Sequence, residues 1–225
     1  MEGSLSDFLA KQGIPCLYDV DTRAVTRKIR SAGTMKGIIV PEDAAQTEID
    51  ELFAVPIKKD VVNEVTTPEV YTMETDGPSV VVMDFGIKRN ILNSLHHLGC
   101  SLTVVPAQTS AREILALQPD GIFLSNGPGD PLEMTDAAAT VAELEKHLPI
   151  FGICMGHQIF ALANGAKTYK MKFGHRGFNH PVRNLQTGKI AFTSQNHGFA
   201  VDPSSIDDTD LQITHLEVND GRHAL

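Results

Sequence analysis

Seven residues at positions 152 to 158, Gly-Ile-Cys-Met-Gly-His-Gln, contain the side chain of this chain that is best suited to covalent chemistry. They follow the apolar run 148–151 and precede another at 159–163, an order typical of a buried strand, a sharp turn and a helix. Such a turn exposes Cys154 beside the N–H groups of the next helix, which favour its thiolate. Gly152 and Gly156 leave room for neighbours that a Cβ would strike. The pattern predicts that Cys154 is a nucleophile rather than a buried structural cysteine.

Two further polar segments follow apolar strands and could share a site with Cys154. In the loop 125–131, Ser-Asn-Gly-Pro-Gly-Asp-Pro, the glycines let backbone N–H groups approach a ligand or a developing oxyanion. The segment 194–199, Ser-Gln-Asn-His-Gly-Phe, could line an amino-acid pocket, but it is equally typical of a polar hairpin turn. Because G-x-x-x-x-G-K-[ST] does not occur, we expect no ATP chemistry in this chain.

From residue 78 onward, short apolar strands alternate with helices of about ten residues, the pattern of parallel β-α-β units. The strands are expected at 79–83, 102–105, 121–124 and 148–151, and the helices at 88–98, 111–117 and 135–147. This predicts an α/β fold, a three-layer sandwich with a mostly parallel open sheet. The β-rich segments 166–173, 189–193 and 211–218 suit a mixed or antiparallel edge. Ligands bind beyond the carboxyl ends of parallel strands, so the loops 84–86 and 125–131 should converge on Cys154.

The chain before residue 78 divides into two parts. Residues 1–57 are predicted to form a partial, smaller α/β domain. Its expected elements are a helix capped by Asp21 and stopped at Gly33, a strand at 35–40 and a helix at 47–52. Residues 58–77 carry several charges and no clear period, which predicts a linker to the domain at 78–225.

Composition narrows the function classes. Of the 225 residues, 42% are apolar and 21% charged, which is ordinary for a soluble globular protein. The formal charge of −9, without a basic tract, argues against a nucleic-acid partner. No apolar run approaches the ~18 residues of a membrane span and the start lacks signal-peptide features, so we expect no membrane partner and a cytoplasmic location. Three cysteines without C-x-x-C spacing favour free thiols over a disulfide frame or a metal site.

Four motifs together resemble class I glutamine amidotransferases. They are G-I-C-M-G-H-Q at 152–158, S-N-G-P-G-D-P at 125–131, K-M-K-F-G-H-R-G-F-N-H-P-V at 170–182 and S-Q-N-H-G-F-A-V at 194–201. More narrowly, they resemble the small, glutamine-hydrolysing subunit of carbamoyl-phosphate synthetase, whose N-terminal domain is similar to residues 19–30. The resemblance covers nearly the whole chain.

The resemblance implies that L-glutamine is hydrolysed to glutamate and ammonia. The ammonia would pass to a large subunit that uses ATP to make carbamoyl phosphate for arginine and pyrimidine biosynthesis. ATP is expected on that partner, and no cofactor is expected in this subunit. Cys154 would attack the side-chain amide, and the backbone N–H groups of Met155 and of the loop from Gly127 to Gly129 would hold the oxyanion. The residues expected to bind glutamine are Gln158, Asn196, Gly198 and Phe199.

One part of the family pattern is missing. A His-Pro-Glu motif supplies the base and its orienting carboxylate in this family, and the chain contains no such motif. The chain resembles a fragment lacking both family termini, and we expect it to be nearly inactive alone. His215-Leu216-Glu217 has a similar spacing but better fits an edge strand, and His157 better fits a packed histidine. Two alternatives stay open: an amidotransferase feeding another synthetase, which the tract 170–182 disfavours, and a non-catalytic amidotransferase-like regulatory or assembly subunit.

Overall fold

The computed structural model describes residues 3–219. The chain forms two compact units, with the boundary along the sequence between Ile57 and Lys58. The first unit contains three helices, α1 (Leu5–Lys11), α2 (Thr22–Ala32) and α3 (Gln46–Ala54). The predicted cap is present, since the Asp21 carboxylate accepts the N–H of Ala24 at 2.9 Å. The sequence reading missed α1. The strand predicted at 35–40 is also not observed, because the described part of this unit offers no second strand to pair with it.

The second unit is built around a five-stranded sheet. Its strands are β1 (Tyr71–Met73), β2 (Ser79–Asp84), β3 (Ser101–Pro106), β4 (Gly121–Leu124) and β5 (Ile150–Gly152). Their spatial order is β1-β3-β2-β4-β5, in which β1 is antiparallel to β3 and the other pairs are parallel. The helices of this unit are α4 (Val62–Val65), α5 (Arg89–His97), α6 (Ala111–Ala116), α7 (Thr135–Leu144) and α8 (Met155–Ala163). The predicted α/β fold with a mostly parallel open sheet is confirmed.

Helices cover both faces of this sheet because successive strand residues point to opposite sides. Val81 and Met83 of β2 belong to one apolar cluster, which includes residues of α6, α7 and α8. Val82, between them, belongs to the other cluster, together with Leu92 of α5. The last four side chains of β2, from Val81 to Asp84, are buried, as expected for a central parallel strand. The three-layer sandwich is therefore present as predicted.

Residues 58–77 form part of this unit rather than a linker. They contain α4 and the edge strand β1, and Val62 lies in the apolar core at 3% exposure. The hydroxyl of Thr66 donates to the Asp84 carbonyl at 2.6 Å, and the N–H of Thr67 donates to the Asp84 carboxylate at 2.8 Å. Elements of three and four residues are too short to show a period in the sequence, which is why this segment read as irregular.

A separate antiparallel sheet follows α8, instead of a mixed edge on the main sheet. It contains β6 (Thr168–Asn184), β7 (Ile190–Val201) and β8 (His215–Glu217), in the order β7-β6-β8. β6 and β7 are far longer than the predicted segments, and 194–199 lies within β7 rather than in a hairpin turn. Irregularities in the β6–β7 pairing, between positions 170 and 175 and between 177 and 180, interrupt the alternation that would have revealed one long strand.

None of the helices within residues 3–219 combines the length and the apolar character needed to cross a membrane.

Candidate active site

Cys154 lies where β5 turns into α8, as the sequence predicted. Its backbone angles, φ 54° and ψ −107°, fall in a region that L residues rarely adopt. A Cβ on Gly156 would lie 2.2 Å from the Leu124 carbonyl oxygen, and one on Gly152 would lie 2.6 Å from the backbone of Gly156. The two glycines are therefore required by close backbone packing, and this packing holds Cys154 in its strained conformation.

The loops after β2 and β4 meet beside this turn. The Ser125 hydroxyl accepts the N–H of Phe85 at 2.8 Å, and the Asn126 amide donates to the Gly86 carbonyl at 3.0 Å. A Cβ on Gly127 would lie 2.4 Å from the Phe85 carbonyl oxygen. Because only glycine fits there, the backbone of the 125–131 loop can pack directly against the loop after β2. The predicted convergence of these loops at the carboxyl ends of the strands is confirmed.

Asp84 organises the loop that follows β2. Its buried carboxylate accepts the N–H groups of Gly86 and Ile87 at 2.8 and 2.7 Å. The loop then brings Lys88 to the rim of the site, where its N–H donates to the Asn126 side chain at 3.2 Å. Sequence reasoning named this loop but not Lys88. Because Lys88 closely follows this loop in the sequence, its presence at the site could have been predicted.

A cleft of about 660 Å³ opens over Cys154, and all eight of the predicted site residues line it. They are Cys154, Met155, Gln158, Gly127, Gly129, Asn196, Gly198 and Phe199. The cleft also contains two cations that sequence reasoning did not assign to the site, Lys88 and Arg176. The structure thus gathers residues from α8, from the loop after β4 and from β7 around one thiol.

Gln158 connects α8 to the second sheet at this cleft. Its side chain is buried, and its amide nitrogen donates to the Phe199 carbonyl at 2.7 Å. This hydrogen bond joins α8 to β7. The polar residues of β7 consequently face Cys154, although about forty positions separate them from it in the sequence.

The sequence predicts that the helix N–H groups favour the thiolate of Cys154, and the electrostatic environment in the structure differs from this expectation. Burial raises the pKa of the Cys154 thiol above its ordinary value of 9.0. The N–H of Met155, the charge of Lys88, the N–H of Gly127 and the charge of Arg176 act in the opposite direction. The helix N-terminus does favour the thiolate, but desolvation outweighs it. At neutral pH the thiol therefore keeps its proton, and a reaction at this sulfur requires a base.

Comparison with known families agrees with this arrangement. The sequence model of class I glutamine amidotransferases matches residues 81–225, which include the whole cleft except Val65. The chain belongs to this family. The first 39 residues match the model for the CPSase domain of the carbamoyl-phosphate synthase small chain.

Individual relatives of this amidotransferase chain are similar over nearly its full length. It is 55% identical, over 97% of its residues, to the pyrimidine-specific small chain of carbamoyl phosphate synthase from Lactiplantibacillus plantarum. It is 50% identical, over 96% of its residues, to the carbamoyl phosphate synthase small chain of Listeria monocytogenes serovar 1/2a. The chain spans 60% of the length of each of these relatives.

A solved glutamine amidotransferase from Thermotoga maritima shares the fold. Its TM-score is 0.50 at 15% identity, and the match covers 65% of this chain and 69% of that one.

The two histidines considered as alternative bases are absent from the lining of the cleft over Cys154. His157 and His215 line a different cavity, of about 510 Å³, between α8 and the second sheet. Glu217 is fully buried and accepts two hydrogen bonds from Asn219, at 2.8 and 2.7 Å. The segment 215–217 forms the edge strand β8, as its sequence favoured.

His197 lines the cleft but belongs to a buried network. Its Nδ1 lies 2.8 Å from the Phe199 carbonyl oxygen, and its Nε2 lies 3.0 Å from the Gln195 amide oxygen and 3.1 Å from Nδ1 of His175. Burial lowers the pKa of His197 to about 4, although the hydrogen bond to the Phe199 carbonyl acts in the opposite direction, and the charge of Arg176 adds a smaller lowering effect. The imidazole is neutral at pH 7, and its ring nitrogens are already engaged, so it is poorly placed to deprotonate Cys154.

This low pKa predicts a loss of stability in acid. The folded pKa of about 4 lies below the ordinary value of 6.5, so the contribution of His197 is complete above pH 6.5 and is lost as the pH falls towards 4. We expect His197→Gln to reduce the drop in unfolding free energy between pH 7 and pH 4.5 by about 2 kcal/mol. Urea unfolding at both pH values measures this. The exposed His147→Gln serves as the control, and equal pH slopes for all three proteins would contradict the prediction.

Proposed function

We propose that Cys154 hydrolyses the side-chain amide of L-glutamine. The thiol gives up its proton as the sulfur attacks the amide carbon, and the carbonyl oxygen takes the negative charge. The amide nitrogen then gains that proton, and the C–N bond breaks to release ammonia and leave a thioester. Water attacks the thioester, which releases glutamate and restores the thiol. The backbone N–H groups of Met155 and of the loop from Gly127 to Gly129 stabilise the oxyanion in both steps.

The observation that carries this proposal is the position of the thiol. Cys154 is held at φ 54° on a turn required by two glycines, and the N–H groups of Met155 and Gly127 both act on its sulfur. Donors that act on a sulfur anion are close to where the oxyanion of a tetrahedral intermediate forms. A cysteine buried only for packing has no use for this arrangement.

Four residues of the cleft bind the substrate in this proposal. They are Gln158, Asn196, Gly198 and Phe199, which α8 and β7 bring together. The amide nitrogen of Gln158 is engaged by Phe199, so its carbonyl oxygen is the atom we assign to an N–H donor of glutamine. Asn196 offers both a donor and an acceptor, which suits the amino and carboxylate groups of an amino acid.

We further propose that the ammonia passes to a large, ATP-dependent carbamoyl-phosphate synthetase subunit, for arginine and pyrimidine biosynthesis in the cytoplasm. The small-chain names of the relatives and the match of the first 39 residues support this partner. ATP then binds to the partner, and this chain itself uses no cofactor. A nucleic-acid or membrane partner is not part of this proposal, which agrees with the charge of −9.

Protection of the thiol tests the substrate directly. L-Glutamine should slow the alkylation of Cys154 by iodoacetamide, measured by mass mapping, because it fills the cleft over the sulfur. L-Asparagine, shorter by one methylene, should protect much less. Asn196→Ala should weaken the protection by glutamine about tenfold, since a hydrogen bond to a charged group of the ligand is lost. The exposed Asn179→Ala is the control on the neighbouring strand. Equal protection by both amino acids would contradict glutamine as the substrate.

A further inference from the structure

The register of β6 and β7 places Arg176 on the side of the second sheet that faces the cleft. It is paired with Asn196 across β6 and β7, and residues that face each other across antiparallel strands share one side of the sheet. Both residues line the cleft with Cys154. The adjacent pair, His175 and His197, enters the buried histidine network. The guanidinium is therefore part of the wall that faces the thiol, and it is exposed enough to meet a ligand.

The backbone holds this guanidinium in place. Nη1 donates to the His175 carbonyl at 2.8 Å and also to the His197 carbonyl across the strands. Gly174 makes room for it, since a Cβ there would lie 2.5 Å from Nη1. Nη2 lies beside Gly198, within 3.5 Å of the position that a Cβ on that glycine would occupy. With Nη1 held by the backbone, Nη2 of Arg176 lies next to a glycine of the cleft wall. The planar guanidinium has the geometry to bind a carboxylate there.

The charges around the cleft favour an anion. Among the described residues that line it, Lys88 and Arg176 are cations and none is an aspartate or glutamate. Both cations also act on Cys154 in the direction that favours its thiolate. This local positive charge contrasts with the chain as a whole, whose formal charge is −9. A ligand with a negative group is drawn to this cleft, and more strongly where a fixed donor lies ready.

We infer that Arg176 binds the α-carboxylate of the glutamine whose side-chain amide reaches Cys154. The inference rests on the proposed function and deepens it, because it names a residue that selects substrates with a free α-carboxylate. Arg176 and the thiol then fix the two ends of the same molecule. A glutamine derivative that lacks the α-carboxylate cannot pair with the guanidinium. We therefore expect such a derivative to bind less tightly than glutamine.

The test compares two protecting ligands on wild-type chain and variants. L-Glutamine and L-glutaminamide, in which the α-carboxylate is replaced by a neutral amide, are titrated against the alkylation of Cys154 by iodoacetamide. In Arg176→Gln, the concentration of glutamine that gives half-protection should rise about 10- to 100-fold, because a charged hydrogen bond is removed. The value for glutaminamide should change less than twofold. Arg176→Lys should fall between wild type and Arg176→Gln.

Arg183→Gln is the matched control, since Arg183 is on the same strand and outside the cleft lining. If Arg176 only joined the strands, its loss would weaken protection by both ligands equally, and that result would overturn the inference. Unchanged protection by glutamine in Arg176→Gln would overturn it as well, while leaving the proposed function intact. Failure of glutamine to protect the wild-type thiol would overturn both.

Discussion

Treatment with 6-diazo-5-oxo-L-norleucine, an electrophilic glutamine analogue, should place one label on Cys154 and none on Cys16 or Cys100. The analogue should bind the cleft like glutamine and bring its reactive carbon to the sulfur. There the diazo carbon takes a proton, and the thiolate displaces N₂ to form a thioether. Intact mass and peptide mapping measure the number and the position of the labels. In Cys154→Ser, labelling should fall by at least about 100-fold, because the hydroxyl is a far weaker nucleophile.

A neutral reagent provides the control for this result. Cys16 is exposed, whereas Cys154 is partly buried and has a raised pKa. Iodoacetamide should therefore modify Cys16 before Cys154, since reactivity follows access and thiolate fraction. A reversal of order between the two reagents would show that the cleft directs the analogue. If the analogue modified Cys16 or Cys100 while Cys154 remained free, the assignment of the nucleophile would be wrong.

The purified protein with these 225 residues should hydrolyse glutamine at least about 10³-fold more slowly than the full-length Lactiplantibacillus plantarum small chain. A nucleophile, its base and the group that orients the base act as a unit, so loss of two members removes most of the rate. The sequence contains no His-Pro-Glu, the Cys154 thiol is protonated at neutral pH, and His197 is engaged in its own network. Glutamate and ammonia release, measured under identical conditions, give the comparison.

Two additions make this second experiment decisive. Large subunit from the same bacterium should not raise the turnover of the chain to that of the full-length relative, because a missing base cannot be replaced by a docking contact. His215→Ala should leave the residual rate unchanged, since His215 lines the other cavity. Turnover equal to that of the relative would refute the prediction. Loss of that turnover in His215→Ala would then identify His215 as the base.

Several parts of this protein followed from local sequence pattern. The parallel strands and most helices of the second unit were predictable, because their apolar residues recur with the period of each element. The sharp turn at Cys154 was predictable for a similar reason. Gly152 and Gly156 flank a cysteine between a strand and a helix, and the structure shows backbone within 2.6 Å of both missing Cβ positions. Motif resemblance supplied the expected glutamine-binding residues of the cleft, which are Gln158, Asn196, Gly198 and Phe199.

Other features depended on segments that are distant in the sequence. β1 is only three residues long, and its place is decided by pairing with β3. Arg176 joins the cleft through its register with Asn196, twenty positions away, and irregular pairing on both sides disguised that register. The predicted strand at 35–40 failed for the same reason, because extended residues form a strand only when another strand accepts their hydrogen bonds.

The proton affinities of the site were also decided by tertiary structure. The turn sequence indicates a stabilised thiolate at Cys154, yet burial by neighbouring elements raises its pKa. His197 stands in a polar segment that suggests an ordinary histidine, yet burial within the network lowers its pKa to about 4. Desolvation and charge interactions depend on distances between side chains, and folding alone sets those distances. The sequence by itself identified eight residues of the site, whereas the tertiary structure added Lys88 and Arg176 and determined which groups hold a proton.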